Sequence, residues 1–223
     1  MMTHISDTTL DEGLVLDAAS GAAPAAVRVL AECQAELNSD AALRLRTAES
    51  AFGALLESEP GAPISSDLFS RTLAQLALEA DVAPTDVGEP KRCSSELPRA
   101  LERVLPDGEP IVWSPRFGGM SECVIRSLCE PGVHARLLKL PVGWRAPEHM
   151  HGGDELTLVI SGAFRDEVGR YGAGQVCHAA SGHRHRPAVD GDEDCLCMVV
   201  EFGPLKPTNP VLSLAGAVLG RLF

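Results

Sequence analysis

The sequence predicts an α+β protein of two domains, a helical N-terminal domain followed by an all-β C-terminal domain. Apolar residues recur at helical spacing up to about residue 80, whereas short apolar runs alternate with glycines from residue 111 onward. Prolines and a glycine break all periodicity within residues 81–96. We therefore place a helical domain at 1–85, a linker with one short helix at 86–108, an all-β domain at 109–205 and a helical tail at 206–223.

Four helices are expected in the N-terminal domain. Ser6 or Asp7 is the candidate N-cap of the first helix, and Pro24 marks the start of the second. Ser39 is the candidate cap of the third helix and Ser66 that of the fourth, after a break at 59–63. The apolar stripes of these helices are predicted to form the core of the domain: Val27, Leu30, Leu37, Phe52, Leu56, Leu68 and Leu73.

Apolar runs mark the strands of the C-terminal domain. The clearest are residues 137–140, 156–160 and 195–200, each close to glycines. A short helix is expected from Pro98 to Leu105 in the linker. The tail has apolar residues at helical spacing and is expected to pack against a domain or a partner.

The net charge of −12 is concentrated at the N-terminal end. Residues 1–90 contain 15 acidic and 4 basic residues. This balance argues against direct binding of nucleic acid, which requires basic residues to neutralise phosphates. It suits a basic protein partner, although a solvated acidic surface explains the same composition.

The sequence also indicates the cellular compartment. We see no apolar run long enough to cross a bilayer and no signal sequence at the N-terminus. The seven cysteines are irregularly spaced, which favours reduced thiols in a cytoplasmic protein. We therefore expect a cytoplasmic protein that does not bind a membrane.

The residues with the clearest chemistry are two histidines at positions i and i+2. On an extended backbone His149 and His151 project to the same face, and Glu155 adds a carboxylate four residues later. His185, in a downstream Gly-x-x-His, offers a third imidazole from a distant strand. Three nitrogen donors and one oxygen donor suit zinc, iron or manganese. The simpler alternative is a pair of surface histidines in a glycine-rich turn. The flanking glycines and the downstream motif favour a metal site over this alternative.

These spacings resemble the cupin family. Its first motif, G-x5-H-x-H-x3-4-E-x6-G, is matched at every position from Gly143 to Gly162. Its second motif is matched at Gly174, Gly182 and His185, while Ala180 stands where proline is usual and Val189 where asparagine is usual. The resemblance implies an antiparallel jelly-roll β-barrel. It also implies one metal ion, which we expect to be Zn2+ with Fe2+ or Mn2+ as alternatives, held by His149, His151, Glu155 and His185.

A helical domain followed by a cupin barrel resembles the ChrR-type anti-sigma factors. The segment 164–174 and the Cys195-Leu-Cys197 sequence strengthen the match within the barrel. The resemblance implies a regulator that binds and inhibits an extracytoplasmic-function sigma factor. It further implies a barrel that senses singlet oxygen or a related oxidative stress. On this basis we expect residues 1–85 alone to silence a sigma factor and the barrel to be needed for release.

The helical domain departs from the family at its own zinc motif. His4 and Cys33 occupy two of the four expected ligand positions, but Val29 stands at the second histidine position and Glu36 at the second cysteine position. A tetrahedral structural zinc site should not survive the loss of two ligands. We expect a metal-free helical domain, the alternative being a weak site in which Glu36 and a water complete the coordination.

Cys195 and Cys197 are open to two interpretations. On a strand both side chains point to one face, with Cα atoms ~6.6–7 Å apart, at or beyond the usual limit for a disulfide. They are either buried small hydrophobic residues or a redox or signalling pair. Among the other cysteines, Cys123, Cys129 and Cys177 are predicted on strands and Cys93 in the exposed linker.

Two function classes follow from the sequence. In the first the protein is a transcription regulator with a sigma factor as partner and no catalytic residues. In the second it is a metal-dependent cupin enzyme, an oxygenase or isomerase. The helical N-terminal domain favours the regulator, because a simple cupin enzyme does not need one. Many cupins dimerise, so a homodimer through the barrel is an open alternative.

Overall fold

The computed structural model describes residues 8–80, 97–105, 111–203 and 205–207. The chain divides into two compact units, one formed by residues 1–52 with 96–223 and the other by residues 53–95. Each unit is described by itself. The predicted domain boundaries at 85/86 and 108/109 lie outside the described residues and stay predictions. Residues 208–223, which contain nearly all of the predicted helical tail, also lie outside them.

Five α-helices lie within the described residues. They are α1 (Glu12–Ser20), α2 (Ala25–Leu37), α3 (Ser39–Ser58), α4 (Leu68–Ala80) and the short α5 (Arg99–Glu102). The four predicted N-terminal helices are therefore present, and the predicted linker helix is α5. Alone, no described helix is long and apolar enough to cross a membrane; α1 and α2 together have that length and composition but are bent by 109°.

The helix caps differ from the prediction at two positions. Asp11 caps α1, since its side chain accepts a hydrogen bond from the backbone N–H of Leu14. Asn38 caps α3 in place of Ser39, because its side-chain oxygen accepts from the backbone N–H groups of residues 40 and 41. Pro24 precedes α2 as predicted.

Twelve strands lie within the described residues, all of them after the helices. They are β1 (Ser114–Pro115), β2 (Ser121–Val124), β3 (His134–Leu140), β4 (His149–His151), β5 (Glu155–Ser161), β6 (Ala163–Arg165), β7 (Arg170–Gly172), β8 (Val176–Ala179), β9 (Arg184–His185), β10 (Ala188–Val189), β11 (Cys195–Glu201) and β12 (Leu205–Pro207). The three predicted apolar runs lie within β3, β5 and β11. Cys129 is an exception to the strand prediction, because it ends the 3-10 turn Arg126–Leu128.

All strand pairs are antiparallel and form three sheets. The largest sheet has the order β1-β2-β3-β11-β5-β8, and two three-stranded sheets have the orders β10-β6-β7 and β12-β4-β9. A turn at Gly162 joins β5 to β6. Its φ is +71°, and an added Cβ would lie 2.4 Å from the carbonyl oxygen of Asp194, so this position requires glycine.

The central strands β11 and β5 of the six-stranded sheet are buried on both faces. Along β11, Met198 and Val200 belong to a core shared with the helices, whereas Cys197 and Val199 belong to the core inside the barrel. The strands β3 and β5 alternate in the same way. This double burial explains why these strands appear in the sequence as nearly continuous apolar runs.

Helices α1, α2 and α5 pack on the outer face of this sheet. Val27, Leu30 and Leu101 are fully buried in one cluster with Leu158 and Met198 of the barrel strands. The first helices therefore share a hydrophobic core with the barrel. Since each fully buried aliphatic side chain contributes about 1.5–3 kcal/mol, this shared core is a large part of the stability of both.

A buried glutamine joins the N-terminal segment, α2 and the barrel. Gln34, 1% exposed, accepts from the backbone N–H of Leu10 and donates to the carbonyl oxygens of Thr8 and Gly174, at 3.2–3.3 Å. Gly174 has a φ of +78°, and an added Cβ would lie 2.9 Å from the carbonyl oxygen of Leu37. The close approach of α2 to this turn therefore needs glycine.

The predicted apolar stripes are only partly core. Val27 and Leu30 are fully buried, but Leu37 is more than a third exposed. In the unit formed by residues 53–95, Leu56, Leu68 and Leu73 are exposed as well. The prediction that all these residues form the core of the helical domain is therefore wrong, because the second half of the helical segment leaves its apolar face in solvent.

Candidate metal centre

Strand pairing brings the predicted histidines together. In the pairing of β4 with β9, His149 lies directly opposite His185. His151, two residues after His149, points to the same side of β4, as the alternation of side chains along a strand requires. His151 and His185 are 4% and 2% exposed, so the cluster is largely shielded from solvent.

The three imidazoles turn the same nitrogen toward one point. The Nε2 atom of His185 lies 2.8 Å from Nε2 of His151 and 3.0 Å from Nε2 of His149. With metal–nitrogen bonds of about 2.0–2.1 Å, neighbouring ligand nitrogens on one ion are separated by about 2.9–3.4 Å. The spacing in the cluster is close to this range, so the three residues fit a single transition-metal ion.

The remaining ring nitrogens of two histidines are held by oxygen acceptors. Nδ1 of His185 lies 3.2 Å from a carboxylate oxygen of Asp166, whose side chain is 1% exposed. Nδ1 of His149 lies 3.0 Å from the carbonyl oxygen of Pro147. Each acceptor places the ring proton on Nδ1, which leaves the Nε2 lone pair free for a metal.

Asp166 is fixed by its own loop. Its other carboxylate oxygen accepts hydrogen bonds from the backbone N–H groups of Val168 and Gly169, at 2.8 and 3.1 Å. Burial opposes ionisation of this carboxyl, but the hydrogen bonds from His185 and from the two N–H groups lower its pKa. Asp166 could not be predicted from the sequence as a partner of His185, because no motif spacing connects the two residues.

Glu155 lies beside the three-histidine cluster. One of its carboxylate oxygens lies 3.6 Å from Nδ1 of His151, and the other accepts a hydrogen bond from the hydroxyl of Thr157. Its carboxylate also lies near that of Glu201. The structure therefore places Glu155 beside His151, on the Nδ1 side that faces away from the three Nε2 atoms, and groups it with Glu201 and not with His149 and His185.

Burial keeps His149 and His151 in the neutral form that binds metals. It lowers the pKa of His149, and it lowers the pKa of His151 to about 4. Both imidazoles are therefore neutral at pH 7, as a metal ligand must be. The three imidazoles and the spacing of their Nε2 atoms fit a divalent transition-metal ion.

Two further histidines lie near the centre. His183 lies close to Asp166 and His185, with its ring centroid 5.5 Å from that of His185. His178 is exposed, and its ring nitrogen lies 3.1 Å from a carboxylate oxygen of Asp154. His183 therefore lies at the rim of the metal site, and His178 lies away from it.

Comparisons with known proteins agree with the resemblance seen in the sequence. Residues 102–206 match the ChrR cupin-like domain family. The anti-sigma-E factor ChrR of Cereibacter sphaeroides is 30% identical over 204 residues, which cover 91% of each protein. The chain belongs to the ChrR family of anti-sigma factors. A chain in the crystal structure of Rhodobacter sphaeroides SigE in complex with the anti-sigma ChrR has the same fold, with a TM-score of 0.67 and 26% identity. That match covers 86% of this chain and 97% of the other.

The position of the N-terminal zinc motif of ChrR-type proteins is occupied differently here. Glu36 accepts hydrogen bonds from the backbone N–H groups of Arg99 and Ala100, each at 2.8 Å, with a separate carboxylate oxygen for each. It thereby caps the first turn of α5. Val29 packs at the edge of the shared core, and His4 lies outside the described residues.

Cys33, the one expected cysteine ligand that the chain retains, is fully buried in the shared core. Burial, and then the nearby charge of Glu36, raise the pKa of its thiol to about 12. The thiol is therefore protonated at pH 7, which favours a packing role over a ligand role.

Cys195 and Cys197 are free, fully buried thiols whose sulfur atoms lie 3.5 Å apart. The hydrogen bond with Cys195, followed by burial, raises the pKa of Cys197. A protonated thiol without solvent contact reacts poorly with oxidants. The geometry therefore favours the interpretation of these residues as small hydrophobic residues of the barrel core.

Proposed function

We propose that this protein binds and inhibits a sigma factor of the extracytoplasmic-function class, and that its barrel holds one divalent metal ion. The observation that carries the proposal is the 30% identity to an anti-sigma factor over 91% of both chains. The similar fold of the chain crystallised with SigE supports the same class of partner. We propose a cytoplasmic location on the same grounds.

The apolar face of α4 is the surface that we propose for the sigma factor. Phe69, Leu73 and Leu76 follow one another at i, i+4 and i+7 and are 73%, 50% and 55% exposed. This spacing places them on one side of the helix. An amphipathic helix that inserts such a row into a groove is a common mode of recognition between proteins. The excess of acidic residues in the first 90 positions would help to attract a basic partner.

For the metal we propose His149, His151 and His185 as nitrogen ligands and Glu155 as the oxygen ligand, which requires the Glu155 side chain to turn from Nδ1 of His151 toward the three Nε2 atoms. Zinc is the metal that we favour, with iron or manganese as alternatives. Bound there, the ion would act as a Lewis acid and would tie β4 to β9. The helical domain would hold no metal, because Glu36 caps α5 and the Cys33 thiol is buried.

The barrel is the part that we propose to respond to singlet oxygen or a related oxidant. Its metal centre has an outer contact in Asp166, and its main sheet shares a core with α1 and α2. A change at the centre could therefore alter the packing of the helices. The family assignment favours this regulatory function over the alternative of a cupin oxygenase or isomerase, and we propose no catalytic residue.

A reporter assay tests the proposed function. The full chain, co-expressed with a sigma factor from the same host, should repress transcription from the promoter of that sigma factor and should co-purify with it. The variant Phe69→Asp should lose at least tenfold in affinity, since a central aromatic anchor contributes about 2 kcal/mol or more to an interface. The matched control Val124→Asp alters an exposed apolar residue on β2 and should bind normally. Equal repression by both variants would exclude the α4 surface.

Full-chain protein that captures no sigma factor from its host, and does not repress any sigma-dependent promoter there, would overturn the proposed function itself. Oxygen consumption by the iron-loaded protein with a small organic substrate would instead support the enzyme alternative. Circular dichroism of each variant is needed to establish that it is folded.

A further inference from the structure

An open groove of about 570 Å3 lies between α1 and the barrel. Leu14 and Asp17 of α1 line one side of it, together with the helix cap Asp11. Phe202 lines the other side, and Leu156, on the face of β5 that packs against the helices, closes the groove on the barrel side. Both sides belong to the same compact unit.

The floor of the groove is apolar and only partly covered. Leu14 and Phe202 are half-buried and pack at the edge of the core that the helices share with the barrel. A partly exposed apolar surface with a polar rim is typical of a place where another segment or a partner binds.

The barrel side of the groove is fixed by its own contacts. The backbone N–H of Phe202 donates to the carbonyl of Asp154 at 2.8 Å. A Cβ added to Gly153 would lie 1.2 Å from the carbonyl oxygen of Phe202, so only glycine permits this close approach. The side chain of Asp154 accepts from the backbone N–H of Ser181 at 2.9 Å. A wall held in this way loses little conformational entropy when a segment binds to it.

The rim of the groove has an excess of negative charge. Asp11, Asp17 and Asp154 contribute three carboxylates. His178 lies 3.1 Å from Asp154 and 3.8 Å from Asp11, so it offsets at most one of these three charges. Hydrogen bonds from the N–H of Ser181 and from His178 lower the pKa of Asp154, which is therefore ionised at pH 7. The groove suits an apolar segment that carries a positive charge.

The C-terminal tail of this chain has that composition. Residues 208–223 lie outside the described residues, and their sequence is rich in apolar side chains. Arg221 is the single charged residue among them, and it stands between Leu219 and Leu222. A segment of this kind exposes apolar surface to solvent unless another part of the protein or a partner covers it.

The tail also starts close to the groove. Pro207, the last described residue, follows Phe202 by five positions, so the two residues lie within ~18 Å of each other. The chain from Pro207 to Arg221 spans ~21 Å as a helix and ~46 Å when extended, and either conformation reaches the groove. A short tether gives the tail an effective concentration of about 1 mM, which favours it over a separate partner of similar affinity.

We propose that the C-terminal tail docks into the groove between α1 and the barrel, with Leu219 and Leu222 on the apolar floor and Arg221 at the carboxylates of Asp17 and Asp154. The tail thereby joins α1 to the barrel from outside their shared core. This docking requires neither the metal ion nor the sigma factor, for which the α4 surface is proposed.

Hydrogen exchange of the full chain, measured by mass spectrometry, tests the proposal. Peptides from residues 211–223 should exchange at least tenfold more slowly than a synthetic peptide of the same sequence. Arg221→Glu should make the tail exchange about two- to fivefold faster, the range expected for a partly exposed ion pair. Leu222→Asp removes an apolar contact and should have a larger effect, tenfold or more.

Charge reversal on the groove gives the sharper test. Asp17→Lys should accelerate exchange of the tail as Arg221→Glu does, and the double variant should exchange more slowly than either single variant. Glu12→Lys is the matched control, because it reverses an exposed charge on the same helix outside the groove. The comparison of the wild type with the synthetic peptide decides the question even if a variant fails to fold.

Three results would contradict the proposal. A wild-type tail that exchanges as fast as the synthetic peptide is not docked at all. Equal effects of Asp17→Lys and Glu12→Lys, or no recovery in the double variant, would exclude the groove as its binding site. Protection of α1 and of residues 152–156 that arises only when a sigma factor is added would assign the groove to that partner. None of these outcomes contradicts the proposed regulatory function, which the reporter assay tests separately.

Discussion

Asp166→Asn should lower the affinity of the candidate centre for its metal ion, although Asp166 is not a proposed ligand. One carboxylate oxygen of Asp166 accepts from two backbone N–H groups of its loop, and the other faces Nδ1 of His185 at 3.2 Å. An asparagine keeps its carbonyl oxygen on the loop N–H groups and presents its NH2 group to Nδ1. The imidazole must then accept at Nδ1, which moves its proton to Nε2.

The size of the effect follows from this tautomer change. A proton on Nε2 of His185 occupies the lone pair that would bind the metal. Metal binding then requires this proton to return to Nδ1, where the N–H group would face the NH2 group of the asparagine, which is also a donor. Loss of such an outer hydrogen bond typically reduces metal affinity 10- to 100-fold, or about 1.4–2.7 kcal/mol. The substitution changes no volume and removes no loop hydrogen bond, so the fold should be retained.

Competition with a chromophoric chelator measures the affinity for zinc in the full chain. His149→Ala, which removes a proposed ligand, should lose most of the metal and sets the scale of the assay. Asp154→Asn is the matched control, because Asp154 also pairs with a histidine, His178, that is not a proposed ligand. Wild-type affinity in Asp166→Asn would refute the tautomer argument, and equal losses in Asp166→Asn and Asp154→Asn would indicate a general effect of removing a carboxylate.

Three further predictions concern the helices of the full chain. Gln34→Ala should lower the free energy of unfolding in urea by about 2–3 kcal/mol, because it leaves the backbone N–H of Leu10 and the carbonyl of Gly174 without this partner; a change below 0.5 kcal/mol would show that water replaces the side chain. Cys33→Ala should leave the metal content at one ion per chain by elemental analysis, and a loss of metal would revive an N-terminal site. Glu36→Ala should cost about 0.5–2 kcal/mol in the same urea experiment through the lost cap of α5, with the metal content unchanged.

The sequence predicted the elements that depend on local pattern. The runs in β3, β5 and β11 were visible because both faces of the sheet are buried along its central strands, and His149 and His151 because strand alternation fixes their common side. His185 was found through its motif, while Asp166 was missed because its contact with His185 is made only when a separate loop folds over β9. Contacts of that kind produce no periodic pattern in the sequence.

The packing partner of each helix could not be predicted either. A stripe of apolar residues shows that a helix face is covered, and it does not show by what. The stripe of α2 is covered by the barrel sheet, as the full burial of Leu30 illustrates, whereas Phe69 and Leu73 of α4 are exposed in the chain alone. The same sequence pattern therefore forms part of an intramolecular core in α2 and a proposed partner surface in α4.

The shared core bears on how a signal in the barrel would reach the helices. Side chains of β11 alternate between the two cores, with Val199 facing the interior near the metal centre and Met198 and Val200 facing α2. Protein interiors are packed as densely as organic crystals, so a displacement of β11 on one side must be accommodated on the other. Gln34 adds a polar connection that is satisfied only while α2, residue 8 and the turn at Gly174 keep their positions. Loss of the proposed metal would thus act on α2 through groups that are already in contact, and no separate transmitting element is required.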